Sequence, residues 1–296
     1  MFELSFDKKR SGCPFCGSDE IITAYKSEWD TLSASNDRCT NCRSIFQNPP
    51  LSREALIDIY DSEVYWNSSK NNNYIYTGYI NQQRSYTHEA YRRASLIKKI
   101  LQKPFNGLKI LEIGCGAGFA AVPFLKAGAD VTGVDPSREM AEYAKEKIGL
   151  NVLTEMFEDL ELSPISYDVV VTWGTSMNFS NPYEVYSKIG LLLKDSGSLF
   201  FDFFDMNGLF SFLTYRKRKK AIHVSCAPSR KGIEIILTRA GFHEVKFYRH
   251  FPYYSLSLLA SQLDFMLLKS LFNVSPIDRF GLHVPFPGTY IVHAIK

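Results

Sequence analysis

The chain has no apolar segment at its start, no uninterrupted run long enough to cross a membrane, no large surplus of either charge and no visible internal repeat. The opening residues, MFELSFDKKRSG, lack the apolar h-region of a secretory signal, so a cytoplasmic protein with reduced thiols is expected. The most apolar stretch of any length, residues 253–273 (YYSLSLLASQLDFMLLKSLFN), is interrupted by Gln262, Asp264 and Lys269, which argues against a transmembrane segment. It is expected to cover a substrate pocket or to form a dimer face, with a surface-lying membrane helix as the alternative. A net charge of +3 and a pI near 8.4 are too mild to imply nucleic acid. Aromatic residues interleaved with Arg and Lys, which a strong RNA binder shows, are not evident either. The absence of a repeat leaves out stacked-repeat architectures.

What is present is ordinary in bulk and specific in detail. The 296 residues suffice for one large domain, or a domain with appendages. Hydrophobic content of 45% and charged content of 22% suit a globular chain. The 22 Phe and 17 Tyr suit a large core and aromatic-lined pockets. One stretch organises the rest. Leu108 to Ile113 is an apolar run fit for a buried strand. Gly114, Gly116 and Gly118 follow at alternating positions, then a helix-like segment from Phe119 to Ala127 that stops at Gly128. A second strand, Val131 to Val134, ends at Asp135, 19 residues after Gly116. Strand, glycine turn, helix, strand and acid make the first half of a doubly wound nucleotide-binding sheet. The glycines let a ligand lie against the backbone, the helix start offers free N–H groups, and the acid can accept both hydroxyls of a ribose. A dinucleotide fingerprint needs a small sixth residue; here that place is Phe119. The G-x-G-x-G spacing, preceded by Glu112, instead resembles motif I of class I S-adenosylmethionine (SAM) methyltransferases.

Four of the six cysteines form two C-x-x-C knuckles, Cys13–Cys16 and Cys39–Cys42, separated by 22 residues. Four thiolates can close a tetrahedral zinc and leave no position for water, so a structural zinc is expected. A redox dithiol or four unrelated thiols is the alternative. A module of ~35 residues buries little core, so the metal would supply its folding energy. Three regions are expected: a zinc ribbon over 1–48, a helical linker or lid over 49–104, and the sheet domain over 105–296 with an insertion at 250–288. Ser52 is expected to cap a helix over Arg53 to Tyr60. The Asn-, Ser- and Tyr-rich residues 61–79 read as a cover over the cofactor site or as a surface linker. A helix from about Asn81 to Gln102 leads into the sheet. Further strands are expected at Asn151 to Thr154, Tyr167 to Thr172, Leu199 to Phe204, His243 to Tyr248 and Thr289 to Ile295. Helices are expected from Pro136 to near Gly149, from Pro182 to Leu193, and from Ser229 to Gly241. Trp173, Gly174 and Thr175 fall at a strand's carboxyl end, where ligands of such sheets sit.

The segments CPFCGS, CTNCRSIFQNPPLSREALIDIY, LEIGCGAG, GVDPS, YDVVV, LLLKDSGSL and LTRAGFHEV together resemble the zinc-ribbon class I SAM methyltransferases of bacterial polysaccharide and secondary-metabolite pathways. The resemblance spans roughly residues 11–250 plus the final strand. It implies a Rossmann-like, seven-stranded sheet with an antiparallel last strand, and methyl transfer from SAM to a sugar or other small molecule. It places Glu112, Gly114, Cys115, Gly116 and Gly118 around the methionine part, Asp135 and Pro136 at the ribose, Met156 and Phe157 at the adenine, and Trp173 beside them. Where relatives carry Glu-His after the fourth strand, this chain has Met177 and Asn178. His223 is then the candidate base, in a place where relatives put a substrate-facing histidine, with His88 a weaker one. The basic run Arg216 to Lys220 is either a phosphate-binding patch or a solvated loop. An RNA methyltransferase and a SAM-binding scaffold without turnover remain as alternatives. A small-molecule or glycan-precursor partner is expected, and a monomer or homodimer.

Overall fold

A computed structural model describes residues 5–29, 32–62, 65–66, 79–205, 207, 224–255, 281–284 and 288–296. The first knuckle leads into a hairpin of β1 (Ile21–Trp29) and β2 (Leu32–Cys39), and the second knuckle into β3 (Ile45–Gln47). Two helices follow, α1 (Arg53–Tyr60) and α2 (Gln83–Leu101). Ser52 caps α1, its hydroxyl accepting the Ala55 N–H at 3.2 Å.

The domain then alternates as β4 (Lys109–Ile113), α3 (Val122–Lys126), β5 (Asp130–Val134), α4 (Arg138–Tyr143), β6 (Asn151–Leu153), β7 (Tyr167–Thr172), α5 (Pro182–Leu192) and β8 (Leu193–Phe204). After β9 (Cys226–Ala227) come α6 (Arg230–Arg239), β10 (His243–Arg249), β11 (Tyr253–Ser255), β12 (Gly281–His283) and β13 (Thr289–Ile295). The main sheet has seven strands in the order β10-β13-β8-β7-β4-β5-β6. Its centre is parallel, and β13 runs antiparallel to both β8 and β10. This is the expected doubly wound architecture, with order reversing between β4 and β7. Such a reversal opens a crevice at the carboxyl ends of the strands.

Both faces of the sheet are covered, so its strands read as continuous apolar runs. Alternation by two separates the layers. Leu111, Ile113 and Val170 belong to one core with Tyr186 and Ile189 of α5 and Ile233 and Leu237 of α6. Ile110, Val169, Val171 and Phe200 face the other way, against Ile97 of α2 and Phe124 of α3. The first layer also holds Cys13, Phe15, Cys39, Cys42 and Phe46. The ribbon therefore shares its core with the sheet domain. It also shares a sheet: β9 adds to β3, giving the order β1-β2-β3-β9.

Some elements differ from expectation in extent. The helix expected from Phe119 covers only Val122–Lys126, because Phe119 is drawn out to pack against Tyr79 and Tyr86. The helix after Asp135 ends in a wider turn, Ala144–Ile148, stopped by left-handed Gly149. The strand expected from Leu199 starts earlier, at Leu193, and takes in an irregularity with Ser196 at φ +61°.

Candidate functional site

The candidate cofactor residues converge on the carboxyl ends of β4, β5, β7 and β8. The loop after β4 turns back on β5: the Gly114 and Cys115 N–H groups donate to the Val134 carbonyl at 2.7 and 3.1 Å. Gly114 sits at φ +71°, and a Cβ there would lie 2.1 Å from the Thr175 hydroxyl oxygen. Gly116, at φ +50°, has the Tyr79 hydroxyl 3.0 Å from where its Cβ would be. Only glycine fits either place. Gly118 is different. It faces Leu150 and Ala144, so it packs α4 and does not reach the cavity.

Asp135 is buried and locked at both oxygens. Gly116 N–H donates to Oδ2 at 2.8 Å and Ser137 N–H to Oδ1 at 3.0 Å. Burial raises its pKa to about 6, against the lowering effect of those two bonds. Glu112, 2% exposed at the end of β4, is pushed up to about 8 by burial, which nearby Arg93 offsets in part. Its Oε2 has no hydrogen-bond partner among the described residues. A buried acid with an unused oxygen is costly unless a cationic group completes it.

These residues line two chambers that meet at Tyr79, Gly114, Trp173 and Gly174. The first, about 730 Å³ including open solvent, is walled by Asp135, Pro136, Met156, Phe157, Asn178 and Phe179 among others. Lys188 fastens its floor, donating to the carbonyls of Phe157, Glu158 and Leu160. Its roof is Tyr60, Tyr65, Trp66 and Tyr79. Residues 65, 66 and 79 of the Tyr-rich stretch thus do cover the site. The second chamber, about 1120 Å³ including open solvent, is walled by Glu112, Cys115, Tyr86, Glu89, Arg93, Asp202, Tyr253 and Tyr254 among others. Arg93 stacks its guanidinium 4.6 Å over the Trp173 ring.

The four knuckle sulfurs lie within 4.8 Å of one another. Cys13–Cys42 and Cys16–Cys39 are 3.6 and 3.5 Å apart. An S₄ tetrahedron at the usual Zn–S length of about 2.3 Å has edges of about 3.8 Å, so the donors fit zinc in kind and spacing. Cys115 and Cys226 are buried elsewhere.

The sequence-derived candidates therefore divide. Glu112, Gly114, Cys115, Gly116, Asp135, Pro136, Met156, Phe157 and Trp173 come together at the cavity, and Gly118 stands behind it. Asn178 lines the first chamber while the Met177 carbonyl holds the Cys226 N–H at 2.9 Å. His88 lies outside the cavity, its ring 4.2 Å from that of Tyr253. His223, the basic run and most of residues 253–273 lie outside the described residues. No described helix is long and apolar enough to cross a membrane. Sequence reasoning missed Glu89, Arg93, Asp202 and Tyr254. A signal existed for Asp202, an acid inside the apolar run LFFDFF. Glu89, with arginines three and four residues on, was also visible as a helix-face cluster.

Comparison with known proteins agrees with this geometry. A family model described as a methyltransferase domain matches residues 111–201. A ubiquinone biosynthesis O-methyltransferase of Photobacterium profundum is 33% identical over 108 residues, which cover 34% of this chain and 46% of that protein. A methyltransferase of Geobacillus sp. is 36% identical over 114 residues, covering 36% of this chain and 46% of the other. The chain thus spans about half the length of the curated relatives it matches. Two solved structures share the fold. One is a phosphoethanolamine N-methyltransferase of Haemonchus contortus with S-adenosylhomocysteine (SAH) bound. It has a TM-score of 0.55 and 16% identity, covering 92% of this chain and 71% of that one. The other is a SAM-dependent methyltransferase of Thermotoga maritima. It has a TM-score of 0.52 and 20% identity, covering 74% and 92%.

Proposed function

We propose that this chain, which carries a class I SAM-dependent methyltransferase domain, moves the methyl group of SAM to a hydroxyl or amine of a small molecule. A sugar, nucleotide-sugar or glycan precursor is the class the sequence resemblance favours. One observation carries the reading. Glu112 and Asp135, both buried, flank the glycine loop inside one continuous cavity, and Glu112 has an oxygen left for a cation. Glu112 would serve the ammonium and Asp135 the ribose diol of one SAM molecule. Met156 and Phe157 supply an apolar bed for adenine, and the Trp66 and Tyr79 roof excludes water.

When bound, SAM supplies a methyl already activated on a sulfonium, so the protein's main contribution is alignment. Glu112 would take the ammonium and Asp135 the ribose hydroxyls. Gly114 and Gly116 leave room at the backbone. Trp173 and Gly174, at the junction of the chambers, would face the acceptor. The knuckle cysteines would hold a structural zinc that takes no part in the chemistry.

The test is incubation with methyl-labelled SAM and the small-molecule and RNA fractions of a cell extract, followed by mass analysis. Label in a small molecule is expected. Label only in RNA would move the reading to a nucleic-acid enzyme, and SAH binding with no transfer to either fraction would make the chain a scaffold.

The raised acids give a second measurable consequence. In the free protein Glu112, at about 8, is mostly protonated at pH 7, and Asp135 gains its charge near pH 6. Binding an ammonium and a diol favours both carboxylates. SAH affinity is therefore expected to rise with pH between about 5.5 and 8, by up to about tenfold per unit where one proton is released. The free protein moves the opposite way. The folded state holds protons that the unfolded chain has lost, so these two acids contribute less stability as pH climbs through that window. Calorimetry in buffers of different ionisation enthalpy would count the released protons. A pH-independent affinity would show that neither acid meets the ligand.

A further inference from the structure

The second chamber extends beyond the glycine loop, and its far wall is built from parts outside the matched domain. Residues 111–201 supply Glu112, Gly114, Cys115, Phe119, Ala120, Trp173 and Gly174. The rest comes from Tyr79, from α2, from Asp202 of β8 and from a strap, Pro252 to Tyr254, whose strand β11 pairs with β12 in the register Tyr253 with His283 and Tyr254 with Leu282.

One turn of α2 ties the strap down. Glu89 Oε2 accepts the Tyr253 N–H at 2.9 Å, and its Oε1 lies 2.5 Å from His250 Nε2. Arg92 donates to the Phe251 carbonyl at 2.8 Å and to Glu89 at 3.0 Å. The His88 ring packs on Tyr253. The next residue, Arg93, turns inward. Its Nε is 3.3 Å from Glu89 and its Nη2 is 2.9 Å from Asp202 Oδ2, while Asp202 Oδ1 accepts the Gly174 N–H at 2.6 Å. A continuous polar chain therefore runs from the strap backbone to the backbone at the chamber junction. Burial would raise Glu89, but the His250 bond and the Arg93 charge outweigh it and hold it near 2, so it stays ionised. Tyr254 is held above its ordinary value, first by burial, and remains a phenol at neutral pH. It can orient an acceptor but cannot take its proton.

Building on the methyl-transfer reading, we propose that Glu89 is a positioning residue for the acceptor. It latches the strap so that Tyr253 and Tyr254 wall the acceptor's side of the cavity, and through Arg93 and Asp202 it sets Gly174 and Trp173 at the point of transfer.

The experiment compares full-length wild type with Glu89→Gln and with Arg92→Leu, which keeps the pairs of Glu89 with Arg93 and His250 and of Arg93 with Asp202. Three quantities are read: hydrogen exchange over residues 250–255, SAH affinity, and methyl label moved from SAM into the small-molecule extract fraction. In Glu89→Gln the strap is expected to exchange about tenfold faster or more, with exchange in the central strands unchanged. Transfer should fall by about tenfold while SAH affinity stays within about threefold. Arg92→Leu should show a smaller change confined to the same residues. Unchanged strap exchange in both variants overturns the latch. So does faster exchange throughout the sheet, or SAH affinity falling in step with transfer. If wild type binds SAH and labels nothing, the methyl-transfer reading fails, and the exchange pattern still decides whether Glu89 holds the strap.

Discussion

Asp135→Ala is expected to weaken SAH binding by about 10²–10³-fold while shifting the melting temperature only slightly. A carboxylate that accepts two ribose hydroxyls makes two charge-assisted hydrogen bonds, each worth about 1.5–3 kcal/mol. Taken at the low end, about 3–4 kcal/mol for the pair, the loss gives a factor of that size. Stability responds less because two effects oppose. Alanine leaves the Gly116 and Ser137 N–H groups without their acceptor, which costs stability. It also removes a buried charge whose desolvation lifts the pKa to about 6, which restores some. Asp135→Asn should be intermediate, about 10–100-fold, since it keeps one oxygen and loses the charge. Calorimetry with SAH, paired with thermal melts, separates binding from folding. If Asp135→Ala binds SAH within about threefold of wild type, the ribose does not sit there.

That residue was legible in the sequence, and the reason is local. Strand, glycine loop, helix and acid form one contiguous unit in which each part constrains the next. The Gly116 N–H to Asp135 bond closes across just 19 residues. The seven strands were legible for a similar reason, since a sheet covered on both faces makes strands such as YDVVVT apolar throughout. The acceptor side was not. Arg93 meets Asp202 and Glu89 meets Tyr253 across separations of 109 and 164 residues, and nothing in a single sequence pairs such distant positions. Gly118 shows the opposite error. It belongs to the glycine pattern, yet its freedom serves the packing of Leu150 and Ala144. The convergence of the two knuckles was legible, but not the way β9 and α6 fasten them to the sheet domain.

That fastening sets the second large effect. Cys39→Ser, or removal of zinc by a strong chelator, is expected to lower the melting temperature of the whole chain by about 10 °C or more, not merely to loosen residues 13–42. Structural zinc contributes about 10–16 kcal/mol in small zinc-finger peptides, comparable to the entire stability of a typical domain. Domains of 150–250 residues lose roughly 2–4 °C per kcal/mol. Even a third of the metal's contribution therefore reaches the stated drop. The loss cannot stay local because Cys39 and Cys42 lie in one apolar cluster with Tyr186, Ile233 and Phe242. The Ser229 hydroxyl donates to the Cys42 carbonyl, and Arg239 donates to the Phe15 carbonyl at 3.1 Å. Cys13 and Cys42 lie 3.6 Å apart, and their pairing raises the Cys13 thiol and lowers that of Cys42 despite burial. Elemental analysis should find one zinc per chain, and Cys115→Ala should leave that number unchanged. β9 links the ribbon strand β3 to the loop that carries Asn178 and Phe179, through Cys226 N–H and the Met177 carbonyl. Partial metal loss should therefore weaken SAH binding before the sheet melts. Metal-free protein with an unshifted melting temperature would sink the zinc assignment and, with it, this coupling.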